Sequence, residues 1–214
     1  MNEYHKIQTM FKREHEKPCR IIYGDWTLPE FEYLKDNDWQ FTEKVDGTNI
    51  RVMFDGQGIK YGGKTDRAQT PCDLIDRLRV IFEPKLDKLK EIFPPKDWVD
   101  TAVCFYGEGY GAGIQKGGVY KATKDFILFD IKIGSFWLSR VDIEEIANNL
   151  GVEVVPLVGH GTLSQAIDIV KAGFKSRWGD FIAEGIVARP TVELTGKSGR
   201  IITKIKHCDF GEAK

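Results

Sequence analysis

Apolar positions return with the period of a helix in three stretches of the chain. The longest, "TPCDLIDRLRVIFEPKLDKLKEIFPP", repeats them every three or four residues, and a pair of prolines ends it. Pro84 falls inside this stretch and predicts a kink or a division of the helix. "SRVDIEEIANNLG" offers Ser139 as N-cap and Gly151 as C-terminal stop, and "TLSQAIDIVKAGF" has the same period. We therefore predict one long, divided helix and two shorter ones.

The other apolar runs are short and predict strands. "WQFTEKV" and "NIRVMFDG" indicate two strands joined by a turn that contains Asp-Gly, and "QGIKYGGK" indicates a third, so we expect a start rich in hairpins. "TAVCFYGE" and "DFILFDIKI" are rich in β-branched and aromatic residues. Simple alternation in the latter puts Phe126, Leu128 and Asp130 on one face, and Ile127, Phe129 and Ile131 on the other. "FIAEGIVARP" and "GRIITKIKH" complete the predicted strands.

The order of these elements predicts the fold class. Hairpins and helices follow one another without a regular β-α alternation, which favours α+β over a parallel α/β fold. We see no internal repeat, no low-complexity tract and no Gly/Ser/Pro-rich linker. We therefore predict a single domain over residues 1–214.

Composition narrows the classes of function. The chain has 31 Lys and Arg against 32 Asp and Glu, a net charge of −1, so any site for a polyanion must be a local basic patch. The start of the chain resembles no targeting peptide and no run has membrane-spanning length, which predicts a cytoplasmic protein. The cysteines form no C-x-x-C pair, which predicts reduced thiols instead of a zinc cluster or a disulfide framework; they are Cys19, Cys72, Cys104 and Cys208.

Lys44 occupies an unusual place for a solubilising residue. It lies at the junction of a predicted strand and a turn, in "FTEKVDGTNIRVMF". An amine is a nucleophile only in its neutral form, which a partly buried site favours. The alternative is a lysine that extends from a strand end into solvent.

Further candidates follow along the chain. Lys204 and Lys206 lie two positions apart in "IITKIKH", so they share one strand face and predict an anionic ligand; the alternative is a solvated edge strand. Glu108 stands between glycines in "FYGEGYG", and Glu184 precedes a glycine in "AEGIVARP". Each acid alone is also explained by a turn or a strand end.

Taken together, these strings resemble a known family. "EKVDGTNIR" resembles the K-x-D-G nucleotidyl-lysine motif of the covalent nucleotidyltransferase superfamily of DNA ligases, RNA ligases and mRNA capping enzymes, and the K-x-D-G-T-N form is closest to the ATP-dependent RNA ligase 2 family. Five motifs occur in the family's order over residues 43–206. The resemblance implies a nucleotidyltransferase (ATP-grasp-like ligase) core of antiparallel sheets with flanking helices. Because eight residues follow Lys206, we expect no C-terminal OB-fold.

The resemblance also implies a reaction. Lys44 would attack the α-phosphate of ATP, the AMP would pass to an RNA 5′-phosphate, and a 3′-hydroxyl would then displace it. The cofactors would be ATP and Mg²⁺, with Mn²⁺ as an alternative metal. The partners would be RNA with 5′-phosphate and 3′-hydroxyl ends, a nicked duplex included, in RNA repair. A protein partner could supply further contacts to the nucleic acid.

Near the lysine, the resemblance implies these roles. Glu43 would recognise the adenine amine, Gly47 would permit close backbone approach, and Asn49 would lie near the sugar or the reacting 3′ end. Arg51 would bind phosphate, with an outward-facing strand residue as the alternative. Lys64, with Arg67 beside it, lies where the family has a basic motif, although the local string departs from it.

Downstream, Glu108 would hold the ribose and Phe129 would stack on adenine, with an ordinary core strand as the alternative. Glu184 and Asp46 would bind metal, and Lys204 and Lys206 would act with Lys44 in catalysis. The competing functions are a minimal DNA ligase, a guanylyltransferase that uses GTP, and a non-catalytic module that binds a nucleotide or an RNA end.

Overall fold

Most of the strands belong to two five-stranded sheets. The computed structural model describes residues 3–15, 20–94, 102–197 and 199–210. The helices are α1 (Pro29–Tyr33), α2 (Cys72–Phe82), α3 (Leu86–Ile92), α4 (Arg140–Leu150) and α5 (Leu163–Ala172). The strands are β1 (Gln8–Thr9), β2 (Phe11–Arg13), β3 (Ile21–Trp26), β4 (Trp39–Glu43), β5 (Thr48–Phe54), β6 (Ile59–Gly62), β7 (Val103–Tyr110), β8 (Asp125–Ile133), β9 (Phe136–Trp137), β10 (Leu157–Gly161), β11 (Gly185–Pro190), β12 (Thr195–Gly196), β13 (Gly199–Arg200) and β14 (Thr203–Lys206).

The chain divides into two compact units. The first unit comprises Met1–His5 and Asp46–Val155, and the second comprises Lys6–Val45 and Pro156–Lys214. The predicted α+β class with antiparallel sheets is confirmed. The assignment of residues 1–214 to one adenylyltransferase domain stays a prediction.

The first unit is an antiparallel sheet in the order β6-β5-β7-β8-β9, with α2, α3 and α4 contributing to its core. The predicted long helix is divided as expected, because a 3₁₀ turn over Glu83–Lys85, which contains Pro84, separates α2 from α3. Helix α4 begins with a capping box at Ser139 and ends at Gly151, whose φ of 58° is left-handed. The buried apolar side chains that join sheet and helices include Ile50, Leu78, Phe82, Phe105, Phe126 and Leu128.

A β-bulge corrects the predicted faces of β8. Leu128 pairs with Gly107 and Asp130 pairs with Tyr106, so Phe129 is an extra residue in the ladder. Beyond the bulge the alternation is inverted. Ile131 joins the core with Phe126 and Leu128, whereas Asp130 faces away from it and accepts a hydrogen bond from Tyr4, at 2.7 Å. The prediction from simple alternation was therefore wrong for residues 130 and 131.

The second unit is built on a sheet in the order β1-β14-β11-β4-β10. Helix α5 packs against one face, where Phe41, Ile186 and Ile205 contribute to the core with Ile167 of the helix. Alternate residues of β4, β11 and β14 therefore point to the opposite face. Strands β2 and β3 pair as a separate antiparallel ribbon.

Two predicted connections differ from the structure. Strands β4 and β5 do not form a hairpin, because β4 pairs with β10 and β11 on its two edges, while β5 pairs with β6 and β7. The turn at residues 44–47 thus joins strands of different sheets. The predicted strand "GRIITKIKH" is also divided, since β13 pairs with β12 and β14 pairs with β11 and β1.

The cysteines and the helices bear on two of the predictions from composition. Cys72, Cys104 and Cys208 are free thiols, and Cys19 lies outside the described residues. Within the part of the chain that the structure describes, none of the helices combines the length and the apolar character that a bilayer crossing requires.

The turn after β5 makes a testable contribution to stability. Asp55 accepts hydrogen bonds from the backbone of Gly58 and Gln57 and from Lys60, and these lower its pKa from 3.8 to about 2. A carboxyl group whose pKa is lower in the folded protein than in the unfolded chain stabilises the fold at pH values above the unfolded-state pKa. This contribution disappears as the pH falls through the folded-state pKa. We expect Asp55→Asn to lower the free energy of unfolding by about 1 kcal/mol at neutral pH, after allowance for solvent screening.

Urea denaturation of both proteins at neutral pH and at a series of acid values measures this difference, which should vanish near the folded pKa of about 2. Asp87→Asn is the control, because its side chain is fully exposed. Equal stability of wild type and Asp55→Asn at neutral pH would contradict the prediction.

Candidate active site

Lys44 is held in place immediately after β4. Its ammonium nitrogen Nζ lies 2.6 Å from Oε2 of Glu184, and its side chain is 19% exposed. Its backbone N–H donates to the carbonyl of Gly185 at 2.9 Å. The alternative of a lysine extending into solvent does not describe this geometry.

Glu184 is shared between two lysines. Its second oxygen, Oε1, lies 2.6 Å from Nζ of Lys206, and its own side chain is 14% exposed. The register of β11 and β14 creates this contact, because Gly185 pairs with Lys206. The second unit thus contains a lysine-carboxylate-lysine cluster, which we call the Glu184 bridge: Lys44, Glu184 and Lys206.

The same sheet face carries more positive charge. Lys204 and Lys206 alternate with buried Thr203 and Ile205 along β14, so both point away from α5. Val187 pairs with Lys204, and Arg189 lies two positions further along β11, with only 8% of it exposed. Arg189 was not among the residues predicted from the sequence. The alternation in "GIVARP" could have indicated it, since Ile186 and Ala188 are the core positions.

Glu43 points to the opposite face of the sheet. It pairs with Ile186, a core residue, and is 3% exposed. Its carboxylate accepts hydrogen bonds from Ser176 Oγ at 2.6 Å and from the backbone N–H of Arg177 at 3.1 Å. Glu43 therefore fastens the segment after α5 to the end of β4. Its role toward adenine stays a prediction.

In the first unit, the predicted residues after Lys44 are closely packed. A Cβ on Gly47 would come within 2.3 Å of the carbonyl oxygen of Gly109, so a glycine is required there. The backbone N–H of Asp46 donates to the hydroxyl of Tyr120 at 3.3 Å. These contacts fix the backbone of the K-x-D-G turn on its C-terminal side.

Asn49 and Glu108 lie opposite each other on β5 and β7. The side-chain oxygen Oδ1 of Asn49 is buried and has no hydrogen-bond partner among the described residues. A buried acceptor of this kind is costly unless a donor reaches it, and a sugar hydroxyl is a suitable donor. The roles of Asn49 and Glu108 toward a nucleotide stay predictions.

The position of Arg51 excludes one alternative from the sequence, that of an outward-facing strand residue. Arg51 is fully buried, because its guanidinium donates to the carbonyl of Gly63 at 2.7 Å and to Asp66 at 2.9 Å. Arg51 thus organises the loop after β6. Lys64 and Arg67 lie exposed on that loop. The phosphate-binding roles of these three residues stay predictions.

Phe129, the bulge residue of β8, is partly buried, and its ring packs edge-on against Tyr4, with the centroids 5.0 Å apart. Tyr106, opposite Asp130, also contacts Tyr4. Burial raises the pKa of Tyr106, so its phenol remains protonated. The stacking of Phe129 on adenine stays a prediction.

Three of the predicted residues are joined by ion pairs. Lys44, Glu184 and Lys206 touch directly in the second unit, with Lys204 on the same strand face. Within residues 3–15, 20–94, 102–197 and 199–210, no three His, Cys, Asp or Glu side chains group to bind a metal ion. Mg²⁺ bound to a nucleotide needs only one or two protein carboxylates, and the metal-binding roles of Glu184 and Asp46 stay predictions.

A held lysine beside a carboxylate and a second lysine, on an α+β core of antiparallel sheets, is the arrangement expected of a nucleotidyltransferase. The sequence comparison then identifies the family. Residues 37–206 match the RNA ligase family, so the chain belongs to that family, as the sequence motifs predicted. No curated protein matches the chain.

Solved structures of Naegleria gruberi RNA ligase share the fold. A variant with ATP and Mn matches with a TM-score of 0.65 and 17% identity, over 97% of this chain and 63% of that chain. The same ligase with PPi matches with a TM-score of 0.64 and 18% identity, over 96% and 61%. An apo variant matches with a TM-score of 0.64 and 18% identity, over 85% and 53%. The chain thus spans between about half and three-fifths of the matched chains' length.

The Glu184 bridge should be electrostatically costly to break. We expect Glu184→Gln to lower the free energy of unfolding by about 2 kcal/mol at low ionic strength, because two partly buried ammonium groups lose their shared carboxylate. The loss should shrink in about 1 M salt, which screens the repulsion. Urea denaturation at both ionic strengths measures it.

Two further variants show whether the lost stability comes from repulsion between the two lysines of the Glu184 bridge. Lys206→Met in the Glu184→Gln background should restore part of the lost stability, since it removes one of the two cations. Asp76→Asn breaks an exposed ion pair with Arg79 and should change little. A Glu184→Gln protein as stable as wild type would refute the assignment of this energetic role to Glu184.

Proposed function

We propose that the chain is an ATP-dependent RNA ligase that works through a covalent Lys44–AMP intermediate. The observation that carries the proposal is the Glu184 bridge, in which Nζ of Lys44 lies 2.6 Å from one oxygen of Glu184 and Nζ of Lys206 lies 2.6 Å from the other. Membership in the RNA ligase family supports the same activity. The Naegleria gruberi ligase structures contain ATP and Mn, AMP and Mn, or PPi, which supports a nucleotide and a divalent metal as ligands here.

In the first step, the neutral amine of Lys44 attacks the α-phosphorus of ATP. A nitrogen-phosphorus bond forms, the bond to the bridging oxygen breaks, and pyrophosphate leaves. Glu184 Oε2 is the acceptor nearest to Nζ for the proton that Lys44 must lose. Lys204 and Lys206 stabilise the negative charge of the phosphates.

The next two steps are displacements at phosphorus as well. The 5′-phosphate of an RNA strand attacks the adenylate and releases Lys44, and a 3′-hydroxyl then displaces AMP to form a phosphodiester. In both, the chain contributes mainly position and charge. Glu184 and Asp46 are the proposed ligands of Mg²⁺, or Mn²⁺, which would supply neutralisation of phosphate charge.

The remaining predicted residues bind the nucleotide in this proposal. Glu43 recognises the adenine amine, Phe129 stacks on the base, and Glu108 holds the ribose. Gly47 and Asn49 shape the sugar and 3′-end contacts, while Arg51 and Lys64 assist with phosphate. The substrate is RNA with 5′-phosphate and 3′-hydroxyl ends, a nicked duplex included, in cytoplasmic RNA repair. A protein partner that adds nucleic-acid contacts is compatible with the net charge of −1.

Covalent labelling tests the first step. After incubation with ATP labelled at the α-phosphate and with Mg²⁺, we expect one label per wild-type chain and none on Lys44→Ala, because no other amine replaces the nucleophile. The label should break in acid and survive base, as a phosphoramidate does. Denaturing gels followed by acid or alkali treatment measure this.

Lys171→Ala is the matched control, since Lys171 is an exposed lysine at the end of α5 and should leave labelling unchanged. Label that persists on Lys44→Ala would disprove the intermediate. Label obtained only from GTP would instead indicate a guanylyltransferase. Sealing of nicked RNA and nicked DNA by the labelled protein then separates RNA ligase from DNA ligase.

A further inference from the structure

The segment 174–183, which follows α5, folds back on itself as a short hairpin. The backbone N–H of Ser176 donates to the carbonyl of Phe181 at 2.9 Å, and that of Ala183 donates to Phe174 at 2.9 Å. Lys175 and Asp180 close the hairpin with an ion pair of 2.6 Å. We call residues 174–183 the arm.

A buried carboxylate anchors the arm. Glu43 is 3% exposed and Ser176 is 6% exposed, and both oxygens of Glu43 accept hydrogen bonds from the arm. The hydroxyl of Ser176 also accepts from the backbone N–H of Trp178, at 3.3 Å. A buried charge is costly unless it is fully hydrogen-bonded, so these bonds hold the tip of the arm in one conformation.

The tip presents a cation beside an aromatic ring. Arg177 is exposed and makes no ion pair with the described residues, and Trp178 is partly exposed. Guanidinium groups bind phosphate with two donors, and indole rings stack on nucleobases. This pair of chemical types is typical of surfaces that bind single-stranded nucleic acid.

The arm lies at the same end of the sheet as the candidate nucleophile. Glu43, its anchor, immediately precedes Lys44, and Ala183, its last residue, immediately precedes Glu184, which pairs with Lys44. The chain has a net charge of −1, so a strand held near Lys44 needs a local contact of this kind.

We propose that the arm binds the RNA strand beside its ligation end, with Arg177 on a phosphate and Trp178 stacked on a base. This inference rests on the proposed function. The anchoring by Glu43 and Ser176 fixes the tip before RNA arrives, which lowers the conformational entropy lost on binding.

Fluorescence anisotropy tests the inference with the full chain and a single-stranded RNA that carries a 5′-phosphate and a 3′-fluorophore. Arg177→Ala and Trp178→Ala should each weaken binding about tenfold, and Trp178→Phe should retain most of it because a phenyl ring also stacks. Lys171→Ala removes an exposed cation of the same unit and should bind within about twofold of wild type. Labelling of Lys44 by ATP should be unchanged in all four variants.

A second variant tests the anchor. Ser176→Ala removes the hydrogen bond to Glu43 without changing Arg177 or Trp178, so RNA binding should weaken about fivefold through loss of preorganisation. Ser176→Thr keeps the hydroxyl and should restore binding. Restoration supports a positioning role for Ser176.

The outcomes separate this inference from the proposed function. RNA affinity unchanged in Arg177→Ala and Trp178→Ala, in protein that still labels at Lys44, would overturn the arm's role. An equal loss in Lys171→Ala would also overturn it, because general charge would then explain binding. Wild-type protein that never labels at Lys44 would defeat the proposed function itself, whatever its affinity for RNA.

Discussion

The structure of the candidate site depends on one carboxylate placed between two lysines. The Nζ atoms of Lys44 and Lys206 each lie 2.6 Å from an oxygen of Glu184. Without this carboxylate, the two partly buried ammonium groups would repel each other. Strand register sets the arrangement, because Gly185 pairs with Lys206 and accepts a hydrogen bond from the backbone of Lys44. A slip of one residue in β14 would turn Lys206 into the core.

The two acids next to the candidate nucleophile, Glu43 in the sequence and Glu184 through an ion pair, have different tasks. Glu184 neutralises the lysines, whereas Glu43 points to the other face of the sheet and holds the arm through Ser176 and Arg177. Phosphate oxygens offer lysines the same charge and geometry that Glu184 offers. In the proposed reaction, the phosphates of ATP would therefore take the place of the carboxylate beside Lys44 and Lys206.

The strand faces and helix bounds that were predicted correctly are features that local periodicity and capping residues determine. Alternation put Lys204 and Lys206 on one face, and Pro84, Ser139 and Gly151 set the bounds of the helices. It could not predict long-range pairing. The contact between Glu43 and Ser176 joins residues 133 positions apart, and the bulge at Phe129 is visible only in its pairing with β7. No residue of the turn at 44–47 indicates that this turn connects strands of two different sheets instead of closing a hairpin.

Hydrogen bonds fix the backbone around Lys44, the proposed nucleophile. The N–H of Glu43 donates to Pro156, that of Lys44 to Gly185 and that of Asp46 to Tyr120. Each bond fixes one peptide of the segment, so the remaining freedom of Lys44 lies in its side chain. That side chain is restrained by the ion pair with Glu184 at 2.6 Å and by a longer hydrogen bond to the carbonyl of Val45 at 3.5 Å, and anions can compete for the ion pair. A fixed backbone with an exchangeable side-chain partner is what an attack on an incoming phosphate requires.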